Sequence, residues 1–362
     1  MKKRIDWGYL GSLAAAVLLA LAVGAMIMLI TGHDPVAAYT ELVKGATGCN
    51  RWADVLQIFS KRQFGNTMEY AMVLFLTGLA CAIGARVGIF NVGGEGQLYL
   101  GAIVSAYIGV LLTGRAPWLV IPVAALGAMA AGGFYAWIPG VLKVKLKVNE
   151  VITTIMMNTV AIYLCAYLSS GPWKTTQPNR VSGTETLAEN LRFTRLIPGS
   201  NLTGAIFTSL ILAFLIWYVM AKTTKGYEMK LIGENPRFAK FAGLQVDKTI
   251  IGAMAISGAI CGLVGMFEVY GLKGNYQDGI SNEYYFDGLL VAMIMRYKPV
   301  GIISMSFAFA FLKVGAMGME LNAGVPGELY RIIQAVVIFF LAAQSGVKAM
   351  LDGRKKGGAA NG

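Results

Sequence analysis

The chain has 362 residues, of which 56% are hydrophobic and only 14% charged, with 45 glycines, 18 methionines and a formal net charge of +12. Repeated apolar runs of about 18 to 22 residues, each long enough to cross a bilayer, exclude a soluble globular domain. The positive charge is scattered between apolar blocks instead of gathered on one face, which argues against a nucleic-acid binder and for basic loops held on one side of a membrane.

In chain order, a first span is expected at Tyr9–Ile30, anchored from the inside by Lys2, Lys3 and Arg4. The outer segment that follows carries amphipathic pieces at 37–43 and 52–59. Met68–Gly84, a short Leu98–Leu112 and Trp118–Pro139 give spans two to four, the last closed on the inside by Lys143, Lys145 and Lys147. Val151–Leu168 and Leu202–Ala221 are spans five and six, separated by a Ser-, Thr-, Asn-, Gly- and Pro-rich outer loop at 169–200 with one helical turn near 186–191. Thr249–Tyr270 is the seventh, and Ala255, Gly258, Gly262 and Gly265 on one face of it predict the closest helix contact in the molecule. Phe286–Met295 and Val300–Phe311 are both short for spans, so they must borrow flanking residues, tilt or be broken helices buried in protein, and Arg296, Lys298 and Pro299 join them on the inside. Ile332–Ala343 is the last, and Lys348, Arg354, Lys355 and Lys356 hold a tail at 348–362 inside. The expectation is an all-α polytopic membrane protein of about ten spans with both ends cytoplasmic. Its blocks are 1–66, 67–221, a basic loop at 222–248, 249–347 and the tail.

The basic loop is the longest polar interval between two apolar blocks. Within it, Asn235-Pro236 supplies a helix cap and a first-turn proline and Gly243 a stop, so the spacing predicts a short helix of roughly two turns. Phe238, Ala239, Phe241 and Ala242 supply an apolar face while Arg237 and Lys240 stay wet. This is either a docking element or a loop lying against the headgroups.

Polar groups concentrate in two other places. Phe90 to Gln97 mixes Asn91, Glu95 and Gln97 with three glycines, a combination that is either a hydrated hairpin or irregular backbone enclosed by protein at membrane depth. Thr154 and Asn158, four apart, share a face of span five and either line a cavity or bond across to another helix. Ser170, Trp173 and Lys174, with Tyr276, Asp278, Tyr284 and Tyr285, form a candidate outer mouth whose rings suit a planar solute. Glu268 and Lys313 fall near the outer ends of their spans, where snorkelling satisfies them.

Enzyme chemistry has no foothold in these patterns. The glycines around Glu95 lack the lysine and hydroxyl of a phosphate-cradling loop, the lone His33 lies in an outer loop, and no His-Glu-x-x-His or Cys cluster occurs. Three of the four cysteines fall in apolar runs, so no disulfide framework is available. If ATP powers this chain, another subunit hydrolyses it.

The run Gly88-Ile-Phe-Asn-Val-Gly-Gly-Glu-Gly-Gln97 resembles the signature of bacterial ABC-importer permeases of the branched-chain amino acid, sugar and nucleoside superfamily. Asn149-Glu-Val-Ile-Thr-Thr-Ile-Met-Met-Asn158, Ser170-Gly-Pro-Trp-Lys174, and the pattern from Thr224-Lys-Gly-Tyr-Glu228 through Gly233-Glu-Asn-Pro236 to Ala242-Gly243 are similar to the nucleoside, basic-membrane-lipoprotein-associated branch. The resemblance spans about residues 65–345. It implies a permease in the bacterial cytoplasmic membrane, in contact with lipid and not with nucleic acid, and paired with a second homologous or identical permease. Two cytoplasmic ATPases carrying ATP and Mg, and an extracytoplasmic lipoprotein delivering a nucleoside, complete the assembly. It further implies ATPase coupling at Gly226, Gly233, Glu234, Asn235, Pro236, Ala239, Ala242 and Gly243. Asn91, Glu95, Gln97, Thr154, Asn158 and Trp173 are the candidate substrate-pathway or gating residues. One departure is Asn282-Glu-Tyr-Tyr-Phe-Asp-Gly288 with Met293-Ile-Met-Arg296, which is bulkier than the family's usual small-residue run. A sugar or branched-chain amino acid permease is the nearest alternative, and an ion-coupled secondary transporter using Glu95, Glu268 and Lys313 is a more distant one.

Overall fold

In the computed structural model, which describes residues 7–50, 52–176, 183–337 and 339–340, apolar runs become helices and the only bridge outside them pairs Arg195 with Thr203. Six helices among the described residues are long and apolar enough to cross a bilayer. They are α3 (Arg62–Arg86), α5 (Pro117–Leu146), α6 (Glu150–Ser170), α7 (Ala205–Lys222), α10 (Val246–Phe267, continued by a π turn at Glu268–Lys273) and α12 (Pro299–Ala323). The shorter elements are α4 (Gly94–Leu111), α8 (Thr224–Glu234), α9 (Pro236–Phe241) and α11 (Tyr284–Ile294), with α1 (Trp7–Ile30) and α2 (Pro35–Thr47) at the start of the chain. The tail and the end of the expected last span lie outside the described residues; helix is present at 329–337.

Two compact units divide the chain, residues 68–307 forming one and the residues before and after it the other. In the terminal unit α2 is capped by Asp34, whose carboxylate accepts from the Val36 N–H at 2.9 Å, and is stopped by Gly48 in the left-handed region. Its apolar side, Ala38 and Leu42, packs with Met28, Ala316, Met319, Val325 and Leu329. Gly45 and Gly318 bring two helix backbones together so closely that a Cβ on Gly45 would lie 2.7 Å from the Gly318 Cα. Of the ways open to the short apolar run at Val300–Phe311, it extends into its flanks: α12 runs unbroken from Pro299 to Ala323. Lys313 had interrupted the apolar pattern. It does not snorkel: it is buried, with its ammonium 5.4 Å from the centre of the Tyr330 ring.

In the central unit α3 from Met68 onward is apolar all round, and Leu74, Phe75, Leu76 and Leu79 are fully enclosed, as a helix without a polar face must be. Beside it α5, antiparallel to α10, meets it through the small residues expected from the sequence. A Cβ on Gly258 would lie 2.4 Å from the Gly132 carbonyl, and one on Gly262 2.2 Å from that of Ala128. Gly265 faces α4 instead, 2.1 Å from the Leu98 carbonyl by the same measure. Backbones this close gain dispersion contacts that no larger side chain permits.

The ends of α3, α5, α7 and α11 and the starts of α6 and α10 share one end of this unit, together with α8 and α9; Lys143, Lys145, Lys147 and Lys222 make it the basic end. At the far end an extended stretch, 183–193, runs alongside 270–276. Thr184 N–H donates to the Tyr276 carbonyl at 2.9 Å, Leu187 N–H to Gly274 at 2.8 Å and Phe193 N–H to Tyr270 at 2.9 Å.

Candidate functional site

Two helices, α4 of 18 residues and α11 of 11, begin inside the central unit and not at one of its ends, as half-helices do, and their N-termini meet. The chain leaves α3 at the basic end, turns at Gly88 (φ +79), and re-enters as irregular backbone that starts α4 at Gly94. From the far end, 274–283 descends to start α11 at Tyr284. Each start exposes N–H groups with no helical partner. Side chains from four elements supply acceptors.

Asn91 is fully enclosed and exchanges amide hydrogen bonds with Gln97, at 2.9 and 3.1 Å, while its Nδ2 also donates to the Ser257 hydroxyl at 2.9 Å and its Oδ1 accepts from Gly93 N–H. Asn158 of α6 accepts from Gly96 N–H at 2.8 Å through Oδ1 and donates to the Val92 carbonyl at 2.9 Å through Nδ2. Thr154, one turn earlier, accepts from Val92 N–H at 3.2 Å. Of the two readings of 90–97, the structure has the enclosed one: Asn91, Glu95 and Gln97 are buried and bonded by protein groups.

Glu95 joins the two half-helices. Its Oε2 accepts from the Tyr285 N–H at 3.1 Å and its carboxylate is bonded by the Ser281 hydroxyl, so a side chain of α4 caps α11. The N-terminal dipole of α11 favours a negative charge there. Tyr285 reciprocates, its hydroxyl donating to the Asn91 carbonyl while its ring fills the space where Gly94 would carry a Cβ. A glycine is required at 94 by that ring alone. Glu283 (φ +61) before α11, and Arg296 (φ +50) and Tyr297 (φ +57) after it, are non-glycine residues held in the left-handed region. Such strain of about 1–3 kcal/mol per residue persists only where surrounding contacts impose it.

The open aromatic mouth expected from the sequence is also corrected. Tyr276 and Tyr285 are fully enclosed and Tyr284 is buried, because 274–285 packs inside the central unit and does not form a rim. Trp173 is half-buried and stacks on Tyr107 with centroids 4.2 Å apart and planes at 14°, a platform at the far end separate from the Asn91, Glu95, Gln97, Thr154 and Asn158 network. Glu268 does not snorkel: it is buried at the start of the π turn, its carboxyl facing that of Glu69 of α3, a residue that no sequence pattern singled out. Only its tertiary partner identifies it.

At the basic end the predicted short helix is present. α9 is capped by Asn235, which accepts from Phe238 N–H at 3.0 Å, begins at Pro236 and stops at Gly243 (φ +80). The residues implied as coupling positions split into two kinds. Gly226, Gly233 and Ala239 are internal: a Cβ on Gly226 would lie 2.2 Å from the Val219 carbonyl, one on Gly233 2.4 Å from that of Arg86, and Ala239 is fully enclosed. Glu234, Pro236, Ala242 and Gly243 are exposed, and Asn235 is the cap of α9. Beside them stand Tyr227, Phe238 (56% exposed) and Phe241 (93% exposed), large apolar surfaces in a polar segment. A cleft of about 410 Å³ lined by Lys225, Glu228, Gln245, Lys248 and Thr249 adjoins Gly243. Gly233 rests on the backbone of Arg86 and Gly88, and the Arg86 guanidinium donates to the Met220 carbonyl at 3.2 Å. The basic segment thus touches the chain two residues before the irregular stretch that builds the junction.

Residues 63–342 match the family of branched-chain amino acid transport system permease components. The chain is 34% identical to the guanosine ABC transporter permease protein NupP of Bacillus subtilis over 95% of this chain and 96% of that protein. It is 30% identical to the nucleoside ABC transporter permease protein NupB of Lactococcus lactis, over 94% and 92% of the two chains. To the glucose ABC transporter permease protein TsgB13 of Haloferax volcanii it is 31% identical, over 92% and 87%.

Proposed function

The chain belongs to the family of branched-chain amino acid transport system permease components, and from that premise we propose that it is the membrane permease of an ATP-binding-cassette importer whose solute is a nucleoside. Its ten spans place both termini and the basic end in the bacterial cytoplasm, and the far end meets an extracytoplasmic lipoprotein that delivers the solute. Two ATPases, carrying ATP and Mg, grip the segment at 222–248, and a second permease, identical or homologous, completes the pathway. Hydrolysis resides on those partners.

The observation that carries this reading is the pairing of Phe238 and Phe241, bare on a capped helix outside any apolar block, with a rigid backbone contact from Gly233 to Arg86 and Gly88. Apolar rings with nothing over them favour a protein partner. Movement of that partner presses on the stretch that positions Asn91 and Glu95, and the two half-helices separate or close. A shift of a few kcal/mol is enough to exchange the two populations.

Uptake of labelled nucleosides, glucose, pentoses and leucine by vesicles holding the complete transporter tests the reading. ATP-dependent uptake of nucleosides is the expected result. ATP-dependent uptake of the sugar, which the similarity to the glucose permease favours as second reading, or of leucine, overturns the solute assignment. Uptake by this chain alone on an ion gradient overturns the ATP-driven mechanism.

A further inference from the structure

Glu69, in the second turn of the α3 segment, and Glu268, first residue of the π turn, bring their carboxyl groups to face each other. They are 8% and 1% exposed. A charge-bearing pair is expensive at such depth and marks a ligand or ion path more often than a packing solution. The Lys273 ammonium acts on both from the end of the same π turn without forming an ion pair with either. One feature has no structural account within the chain: Glu268 Oε2 is enclosed and, among the described residues, has no hydrogen-bond partner. A buried acceptor left bare costs about 1–3 kcal/mol, more if charged, unless something visits it.

The surroundings specify what could visit. Tyr70 and Tyr284 lie beside the pair, their rings 5.5 Å apart and edge to face, and Tyr70 is fixed by donating to Asp287 at 2.8 Å. Tyr284 is the first residue of α11, so the pair sits at the level where that helix is broken. The π turn widens the α10 backbone at this point, a device common at functional sites. Aromatic walls suit a flat ring, and a carboxylate offers two acceptors side by side, matched by two adjacent N–H donors.

We propose that Glu69 and Glu268 form a recognition subsite for the donor edge of a nucleobase, one that presents a ring N–H next to an exocyclic amine, as guanine does. The inference rests on the nucleoside reading above and narrows it to a class of base. In the closed state the spare Glu268 oxygen waits without a partner. When 274–283 moves, the base edge reaches it.

The test uses the complete transporter in vesicles with one binding lipoprotein throughout, and compares guanosine with adenosine, whose pairing edge puts an acceptor where guanine has its ring N–H. The guanosine-to-adenosine ratio of uptake efficiencies is expected to fall about tenfold or more in Glu268→Gln and in Glu69→Gln, since each amide turns a donor toward the base. An unchanged ratio in both variants overturns the subsite. A second measurement needs no variant: the purified wild-type permease and ATPases, without the lipoprotein, are heated with guanosine or N1-methylguanosine. Greater thermal stabilisation by guanosine supports the subsite, and equal stabilisation overturns it. Wild-type vesicles that take up no nucleoside refute the nucleoside reading and this subsite together, whereas uptake that ignores the base edge refutes the subsite alone.

Discussion

The junction between the half-helices and the basic segment at 222–248 are both polar interruptions of an apolar chain, yet they are finished in opposite ways. At the junction Asn91, Glu95, Gln97, Thr154 and Asn158 are buried and each is hydrogen-bonded by the same chain. In the basic segment the backbone is capped and packed, but Phe238 and Phe241 face outward with nothing over them. Buried polar groups demand full satisfaction because each unmet one costs more than a met one gains. Exposed apolar groups carry no such internal penalty, so they can wait for a partner. One region is bonded within the chain and the other leaves apolar rings exposed.

Breaking the bonded region has the largest expected effect. Gly94→Leu puts its first side-chain carbon 2.0 Å from the Tyr285 ring, which must leave and surrender its bond to Asn91. A destabilisation of about 3 kcal/mol or more is expected, read as loss of folded chain from the membrane and a lower unfolding temperature in detergent. Gly233→Val comes next, because it strikes the Arg86 carbonyl where the two regions touch. It is expected to cost about 2 kcal/mol and to abolish ATP-driven uptake while the ATPases still co-purify; preserved uptake would remove that contact from the coupling route.

Glu95→Ala, which leaves the Tyr285 N–H unmet, is expected to cost about 2 kcal/mol, and Glu95→Gln, which keeps an acceptor, about half as much. The order of the two, measured by thermal unfolding, is the check: equal losses would mean that capping is not what Glu95 contributes. The smallest effect on stability belongs to the double change Phe238→Ala and Phe241→Ala, within about 0.5 kcal/mol, since these rings touch little. Association with the ATPases is nonetheless expected to weaken about tenfold or more. A double variant that unfolds would erase the contrast between the two regions.

Much of the architecture was legible in residue order. Span positions follow from apolar run length, and α9 follows from Asn235, Pro236 and Gly243, because caps and stops are local chemistry. The small-residue face of α10 was readable for the same reason, although the sequence did not say that Gly258 and Gly262 face α5 while Gly265 faces α4. Of the candidate site, the polar types at 91, 95, 97, 154 and 158 stood out against hydrocarbon, but their mutual bonds did not. Residues internal at the basic end, such as Gly226 and Gly233, and residues bare there, such as Phe238 and Phe241, belong to one motif in the sequence and separate only in space.

Residue order alone determined that this chain is helical, crosses a membrane many times and carries one capped helix in a basic segment, since hydropathy, charge placement and capping act within a few residues of where they are written. Tertiary structure alone decided that α4 and α11 start inside the unit and are joined by Glu95, that Glu69 faces Glu268, and that 274–285 is buried. Each of those depends on which side chain 60 to 200 positions away arrives to satisfy a buried group, and no local signal records that arrival.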